Sequence, residues 1–317
     1  MPANSGTAGR RLLFISDTHF TRERGAENTV WLNRAILNRW EAVKDRLVRE
    51  IKALRPDAII HCGDFTQFGT ADDYKFGKSI MDATGIAWHA VPGNHDALAG
   101  GAAKNAMRRE RGIAERDGCF CRSMAFGAAA VALLDVCAPG EGANFAADSR
   151  ALDWLARLLE ENRGRPVFLA SHHPVSNKAS VARYGTILGS DGLDGGRLAS
   201  GPVRGRDFDR ALGKIENAGK LKRLLERSGC TAIAFSGHWH INAFHASNGV
   251  YYRTVPSVCE YPCEAVIADF DARGARVRSA PLSSLGLREE SLIAERRNAW
   301  AEGARRARDV FVPFGRA

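Results

Sequence analysis

No apolar run in the 317 residues reaches the length of about 18 positions that a membrane-crossing helix needs. The charged, apolar and cleavage-site order of a secretory signal is also missing. The N-terminus, MPANSGTAGRR, puts its two arginines after a small polar stretch and runs straight into a short apolar strand. A cytoplasmic location is the resulting expectation. The seven cysteines are scattered and odd in number, with no C-x-x-C pair. That pattern argues against a disulfide framework, a zinc knuckle or a thioredoxin-like motif, and for free thiols in a reducing compartment. Cys259 and Cys263 stand close enough in sequence to pair under oxidation, with buried, idle thiols the plainer account. No internal repeat is present, and no basic cluster is interleaved with aromatics as a single-strand stacking platform would be. The formal charge of +9 raises nucleic acid as a partner. Its densest clusters, MRRERG at 107–112 and ARRAR at 304–308, read equally as solvated helix faces. A general preference for anionic substrates is the inference kept.

What is present is ordinary for a soluble globular enzyme, 45% hydrophobic and 26% charged residues, with length for one large domain or two modest ones. Strand-like runs alternate with helical ones. Residues 11–16, 57–61, 86–91, 166–171 and 231–235 read as strands, and 123–136 as a hairpin or two buried strands. A long helical pattern runs through Trp31, Ile36, Val43, Leu47 and Ile51 and stops before Pro56. Others cover 70–85, with Thr70 as N-cap, the stretch from Asp148 and Ser149 to Gly164, and 207–228. VYYRTV, EAVIADF and ARVRSA add strands, and 287–309 reads as a basic helical tail. The expectation is an α/β protein of two packed mixed sheets flanked by helices. Its domain spans 11–282, after a flexible N-terminus at 1–10 and before a basic helical extension at 283–317. A Gly-rich insertion at about 177–206, centred on LGSDGLDGGRLASG, reads as a lid or a disordered insertion.

The stretch VPGNHDAL, residues 91–98, ends an apolar strand with Pro92 and Gly93 and then presents Asn94, His95 and Asp96. Alone it supports a turn or helix cap as well as a metal site. The other strand ends decide. Asp17-Thr18-His19, Cys62-Gly63-Asp64, Ser171-His172-His173-Pro174 and Ser236-Gly237-His238-Trp239-His240 follow four further strands. Six of the nine histidines lie in these five loops, and His and Asp in such numbers are not packed at strand ends without partners. Loops at carboxyl ends of strands are where α/β folds place their chemistry.

The five blocks together resemble the calcineurin-like metallophosphoesterase superfamily, whose signature runs D-x-H, G-D, G-N-H-D/E, H and G-H-x-H. The resemblance spans residues 17–240 and implies a four-layer αββα sandwich around two divalent ions, of Mn, Fe, Zn or Co. By position, Asp17, His19, Asp64 and His240 would hold one ion, and Asp64, Asn94, His172 and His238 the other, with Asp64 as bridge. A bridging hydroxide would attack phosphorus in line, and His95 would act beside the leaving oxygen as general acid or hydrogen-bond donor. Asp96 is read either as orienting His95 or as capping the helix that follows, and His173 is assigned to neither ion.

Departures from the family's branches narrow the substrate. GDFTQFG (63–69) lacks the arginine of the protein Ser/Thr phosphatases, and Gln67 stands where purple acid phosphatases carry a metal-binding tyrosine. His95 replaces the arginine of the lipid A pathway hydrolases. GDFTQFG, GNHD, SHHP and GHWH are most similar to the cyclic-nucleotide-phosphodiesterase-like branch. A small phosphodiester, cyclic nucleotide or glycerophosphodiester, is the expected substrate. A nuclease, a phosphomonoesterase and a non-enzymatic scaffold are the alternatives. Scaffold relatives typically lose metal or catalytic histidines, and this sequence keeps them.

Overall fold

Strand β1 (Arg10–Ile15) sends Leu13 and Ile15 to one face and Leu12 and Phe14 to the other, the period-two alternation of a strand buried on both sides. The structure, a computed structural model, describes residues 9–23, 39–110, 115–116, 119–137, 146–176, 178–179, 197–198, 201–202, 215, 217–286, 288–292 and 299–315. After β1 come α1 (Trp40–Leu54), β2 (Ala58–His61), α2 (Ala71–Asp82), β3 (Trp88–Ala90) and α3 (Ala102–Glu110). The strands β4 (Glu115–Arg116), β5 (Cys119–Phe126) and β6 (Ala129–Leu134) lead to α4 (Ser149–Glu161) and β7 (Pro166–Ala170). A small hairpin, β8 (Arg197–Leu198) and β9 (Gly201–Pro202), precedes α5 (Ala218–Arg227), β10 (Thr231–Ser236), β11 (Ala243–Ser247) and β12 (Val250–Thr254). The chain closes with β13 (Glu264–Phe270), β14 (Gly274–Pro281) and β15 (Asp309–Pro313).

Two mixed sheets result, a six-stranded one in the order β15-β14-β13-β1-β2-β3 and a seven-stranded one in the order β11-β12-β10-β7-β6-β5-β4. They pack face to face through Leu12, Phe14, Ile60, Val131, Phe168, Ile233 and Phe235, and the rings of Phe14 and Phe235 stack at 3.7 Å. Helices α1, α2 and α3 cover the outer face of the first sheet through Trp40, Leu47, Tyr74 and Met107. Helices α4 and α5 cover the second through Leu155, Leu159, Leu221 and Leu225. This is the four-layer αββα sandwich. Thr70 accepts from Asp73 N at 3.0 Å as the expected N-cap of α2, and Asp148 does the same for α4 toward Ala151 N at 2.7 Å.

Register places the site. The parallel strands β1, β2 and β3 pair Ile15 with His61 and His61 with Ala90, so three of the loops with expected ligands leave the sheet side by side. In the second sheet Ala170 of β7 pairs with Phe235 of β10, which brings the two histidine-rich loops to the same edge.

The expected C-terminal helix is corrected. Described residues past 282 form short 3₁₀ turns at Ser283–Leu285, Ala299–Glu302 and Arg305–Ala307, and then β15 pairs antiparallel with β14. The extension closes the edge of the first sheet instead of standing apart from it. Trp31 and Ile36 of the first helical pattern lie outside the described residues, as do 203–214 and nearly all of the Gly-rich segment. So does most of the N-terminus at 1–10, whose last residue, Arg10, opens β1.

Candidate metal centre

The segment after β1 and the segment after β2 continue side by side. Asp17 N donates to Gly63 O at 3.0 Å, His19 N to Asp64 O at 3.0 Å and Phe20 N to Phe65 O at 2.8 Å. Asp17 (φ 51°), His19 (φ 49°), Asp64 (φ 50°), His238 (φ 70°) and His240 (φ 56°) all sit in the left-handed region. Non-glycine residues visit it rarely, at a cost of order 1–3 kcal/mol each, and such strain concentrates at functional sites. Here it turns the side chains of alternate residues in D-x-H and H-x-H toward one point.

There the donor atoms of Asp17, His19, Asp64 and His240 lie within 4.8 Å of one another, and those of His172, His173 and His238 form a second such group. Asp64 joins them, its Oδ2 lying 3.7 Å from His19 Nε2 and 3.4 Å from His172 Nε2. Asn94 Oδ1 lies 3.1 Å from both His172 Nε2 and His238 Nδ1. The seven expected ligands are thus brought together. His95 stands beside them, its ring edge-on to His19 at 4.5 Å between centroids. Its backbone N donates to Asp64 Oδ1 at 2.8 Å and its Nδ1 to Gln67 O at 2.8 Å. His173, unassigned from sequence, is buried with its ring 4.8 Å from that of His172 and 4.2 Å from that of His238.

The donor set fits divalent cations. His172 Nδ1 donates to Cys62 O at 2.9 Å, so in the neutral ring Nε2 is a lone pair facing the oxygens of Asp64 and Asn94. His240 Nδ1 donates to Glu260, which leaves Nε2 facing Asp17 Oδ1 at 3.1 Å and His19 Nε2 at 3.4 Å. Acceptors that converge on acceptors need protons or a cation between them, and mixed imidazole and carboxylate donors suit Mn, Fe, Zn or Co. The electrostatics agree. Burial opposes charge on Asp17, yet His240 and His172 hold its carboxyl down at about 2. Burial likewise opposes charge on His172 and His240. Asp64 nevertheless lifts His172 to about 9, and Asp17 with Glu260 holds His240 well above its ordinary value. Asp17 and Asp64 stay ionised at neutral pH and attract positive charge.

Three residues that sequence reasoning passed over complete the frame, and Asp96, read from sequence as orienting His95 or capping a helix, joins them in another role. Glu260, 2% exposed, holds His240 from behind. Ser257 Oγ donates to Asp17 O at 2.9 Å. His61 contacts Thr18 Oγ1 at 3.0 Å and accepts from Gly63 N at 3.2 Å, and burial pushes its ring down to about 3. Asp96 contacts neither ligands nor the His95 ring. It accepts from Gly93 N, Phe65 N, Thr66 N and Thr66 Oγ1 at 2.7–3.0 Å, tying the GNHD loop to the GDFT loop. Its signal in the sequence was the acid following His95 in GNHD. For Glu260 the signal was a lone acid in the apolar run SVCEYPC.

The basic clusters are partly spent inside the fold. Arg108 of MRRERG is buried against Asp135 at 2.7 Å, and Arg308 of ARRAR pairs with the buried Glu264.

Comparison with known proteins matches residues 10–242 to the family described as calcineurin-like phosphoesterase. A probable glycerophosphodiester phosphodiesterase from Arcobacter nitrofigilis is 32% identical over 85 residues, which cover 26% of this chain and only 28% of that relative. Among solved structures, a dimetal phosphatase from Danio rerio superposes with a TM-score of 0.65 at 13% identity, covering 98% of this chain and 100% of that one. The purple acid phosphatase PPD1 of yellow lupin seeds superposes with a TM-score of 0.54 at 12% identity, over 87% of this chain and 52% of its own. At such identities the structural likeness speaks for the fold. Glu260, Ser257 and β13 to β15 lie beyond the family match.

Proposed function

The chain belongs to the calcineurin-like phosphoesterase family, and from that premise we propose that it hydrolyses a small phosphodiester, a cyclic nucleotide or a glycerophosphodiester, at a two-metal centre. The observation that carries this reading is Asp64, whose one carboxylate reaches both ligand groups while accepting from the backbone of His95. Asp17, His19, Asp64 and His240 would hold one divalent ion, and Asp64, Asn94, His172 and His238 the other. Two such ions supply Lewis acidity toward phosphoryl oxygens and a water acidic enough to attack at neutral pH.

The residues around them do the rest. Asn94 is a neutral oxygen donor, so the ligand set carries only the charges of Asp17 and Asp64 and stays attractive to an anionic ester. With Nδ1 committed to the Gln67 carbonyl, His95 has Nε2 left to meet the substrate. A proton from it neutralises the alkoxide as the P–O bond breaks, or a hydrogen bond from it steadies the phosphoryl oxygens. The lack of an arginine in GDFTQFG supports a diester over a phosphoprotein, and the name of the Arcobacter relative points the same way over the stretch it shares. Free thiols at Cys62, Cys121, Cys137, Cys259 and Cys263 suit a reducing compartment, in line with a cytoplasmic location. Among the described residues no helix is long and apolar enough to cross a membrane.

The test is a substrate panel with Mn²⁺ added. Turnover of bis-p-nitrophenyl phosphate well above p-nitrophenyl phosphate is expected, followed by activity on cyclic nucleotides or glycerophosphodiesters. Faster turnover of the monoester, or of polymeric DNA or RNA with a steep salt dependence of binding, would replace this reading with a phosphomonoesterase or a nuclease.

A further inference from the structure

Glu260 is a buried carboxylate in the loop between β12 and β13, 2% exposed. Such a charge is expensive unless it is paired and hydrogen-bonded. Its described side-chain partner is His240, whose Nδ1 donates to Oε1. The opposite nitrogen of that ring faces Asp17 at 3.1 Å and His19 at 3.4 Å. One ring therefore joins the ligand group to a carboxylate that touches no other member of it.

The loop is gripped from two sides. Cys263 N donates to Glu260 O at 2.6 Å, closing a tight turn around Tyr261 and Pro262. Tyr261, 2% exposed, donates through its hydroxyl to Glu302 Oε2 at 3.1 Å, and the Arg288 guanidinium lies 5.1 Å over its ring. Arg288 also pairs with Glu302. On the ligand loop itself, Asn242 N donates to Ala301 O at 2.9 Å. Arg288, Ala301 and Glu302 thus hold the Glu260 loop and the His240 loop against each other.

We propose that Glu260 is a positioning residue of the metal centre: by accepting from Nδ1 it fixes the His240 tautomer and ring plane that leave Nε2 facing Asp17 and His19. The role rests on the metal-centre reading above. A carboxylate behind a ligating imidazole orients it and raises its basicity, and losing such a partner typically weakens metal binding about 10–100-fold.

Calorimetric titration of the metal-stripped full chain with Mn²⁺ tests it, using wild type, Glu260→Gln, Glu260→Ala, His240→Ala and the Glu260→Ala/His240→Ala double variant. Wild type is expected to bind two ions per chain. Glu260→Ala should weaken one of them about 10–100-fold, and Glu260→Gln, which keeps an oxygen for Nδ1, by less. In the His240→Ala background, removing Glu260 should weaken Mn²⁺ binding no further, because the two residues act as one unit. Unchanged affinity in both Glu260 variants, or losses that add across the double variant, would overturn the role while leaving the metal centre standing. A wild-type chain that binds no Mn²⁺ would overturn the metal-centre reading itself. Should Glu260→Ala fail to fold, the nearly isosteric Glu260→Gln carries the comparison.

Discussion

Asn94 and His95 are neighbours in the chain but face different partners. Asn94 Oδ1 stands between two ring nitrogens at 3.1 Å, whereas the His95 ring is tied to a backbone carbonyl and packs against His19. His95→Ala is therefore expected to keep metal content near wild type. Its turnover of diesters with poor leaving groups should fall about 10²–10⁴-fold, the usual worth of a positioned general acid. Measured on a p-nitrophenyl diester, whose leaving group departs without a proton, the loss should be smaller. An equal loss on both would assign His95 to the phosphoryl oxygens instead. Asn94→Ala should weaken metal binding and recover part of its activity in excess Mn²⁺. Loss of metal from His95→Ala as great as from Asn94→Ala would reverse the two roles. The seven candidate ligands were readable in the sequence because each stands within four residues of a strand end, in blocks whose spacing a loop preserves. His61 was not, because nothing local separates a buried histidine in a strand from core residues of the same type, and Glu260 carried only the faint signal of a lone acid in an apolar run.

The elements that carry the candidate ligands are short loops under strain, and their precision depends on backbone contact. Gly237 shows this. A Cβ there would strike the Ser16 hydroxyl and come within 2.6 Å of Asp17 Oδ2, the carboxylate that also accepts from His238 N at 3.1 Å. Gly237→Ala should keep the fold, since β10 ends one residue earlier at Ser236. It should displace Asp17 or the GHWH loop and lower kcat/KM about 10²-fold, the order of loss that a shift of about 1 Å brings. Circular dichroism together with steady-state kinetics checks both halves, and wild-type turnover in this variant would mean that the loop has slack the packing does not show. Strands at this scale were legible from apolar runs and their breakers. The tail at 287–309 was not. Its mixture of arginine, alanine and isolated apolar residues fits a helical period, while the open edge of β14 selects a strand at Asp309–Pro313.

Across the whole molecule, the two sheets meet at the centre and the C-terminal segment fastens them. Arg253, 1% exposed, reaches Ala307 O, Asn242 Oδ1 and Ser279 Oγ, and Asn242 and Arg308 both donate to the buried carboxylate of Glu264. Asn242 follows His240 of GHWH by two residues, so this polar network links β12, β13 and the segment before β15 to a loop of the candidate metal centre. Arg308→Ala would leave Glu264 short of a cation in a dry interior, a kind of break that costs about 3 kcal/mol. Urea denaturation should show that loss, and Mn²⁺ affinity should fall with it because the His240 loop loosens. A stability unchanged within error would mean that Arg253 alone neutralises Glu264.

Legible along the chain were the alternation of strands and helices, the polar loops at five strand ends and the family those loops resemble. Apolar periodicity, Gly and Pro breakers and ligand spacing are local properties written along the chain. The tertiary structure settled which loops share a point in space, because register between parallel strands aligns Ile15, His61 and Ala90 in one sheet, the β7–β10 register brings His172, His238 and His240 to one edge of the other, and packing of the two sheets sets these loops face to face. It alone placed Glu260 behind His240 and the C-terminal strand at a sheet edge, since a buried charge and an open strand edge are resolved by whatever partner the fold delivers, however distant in sequence.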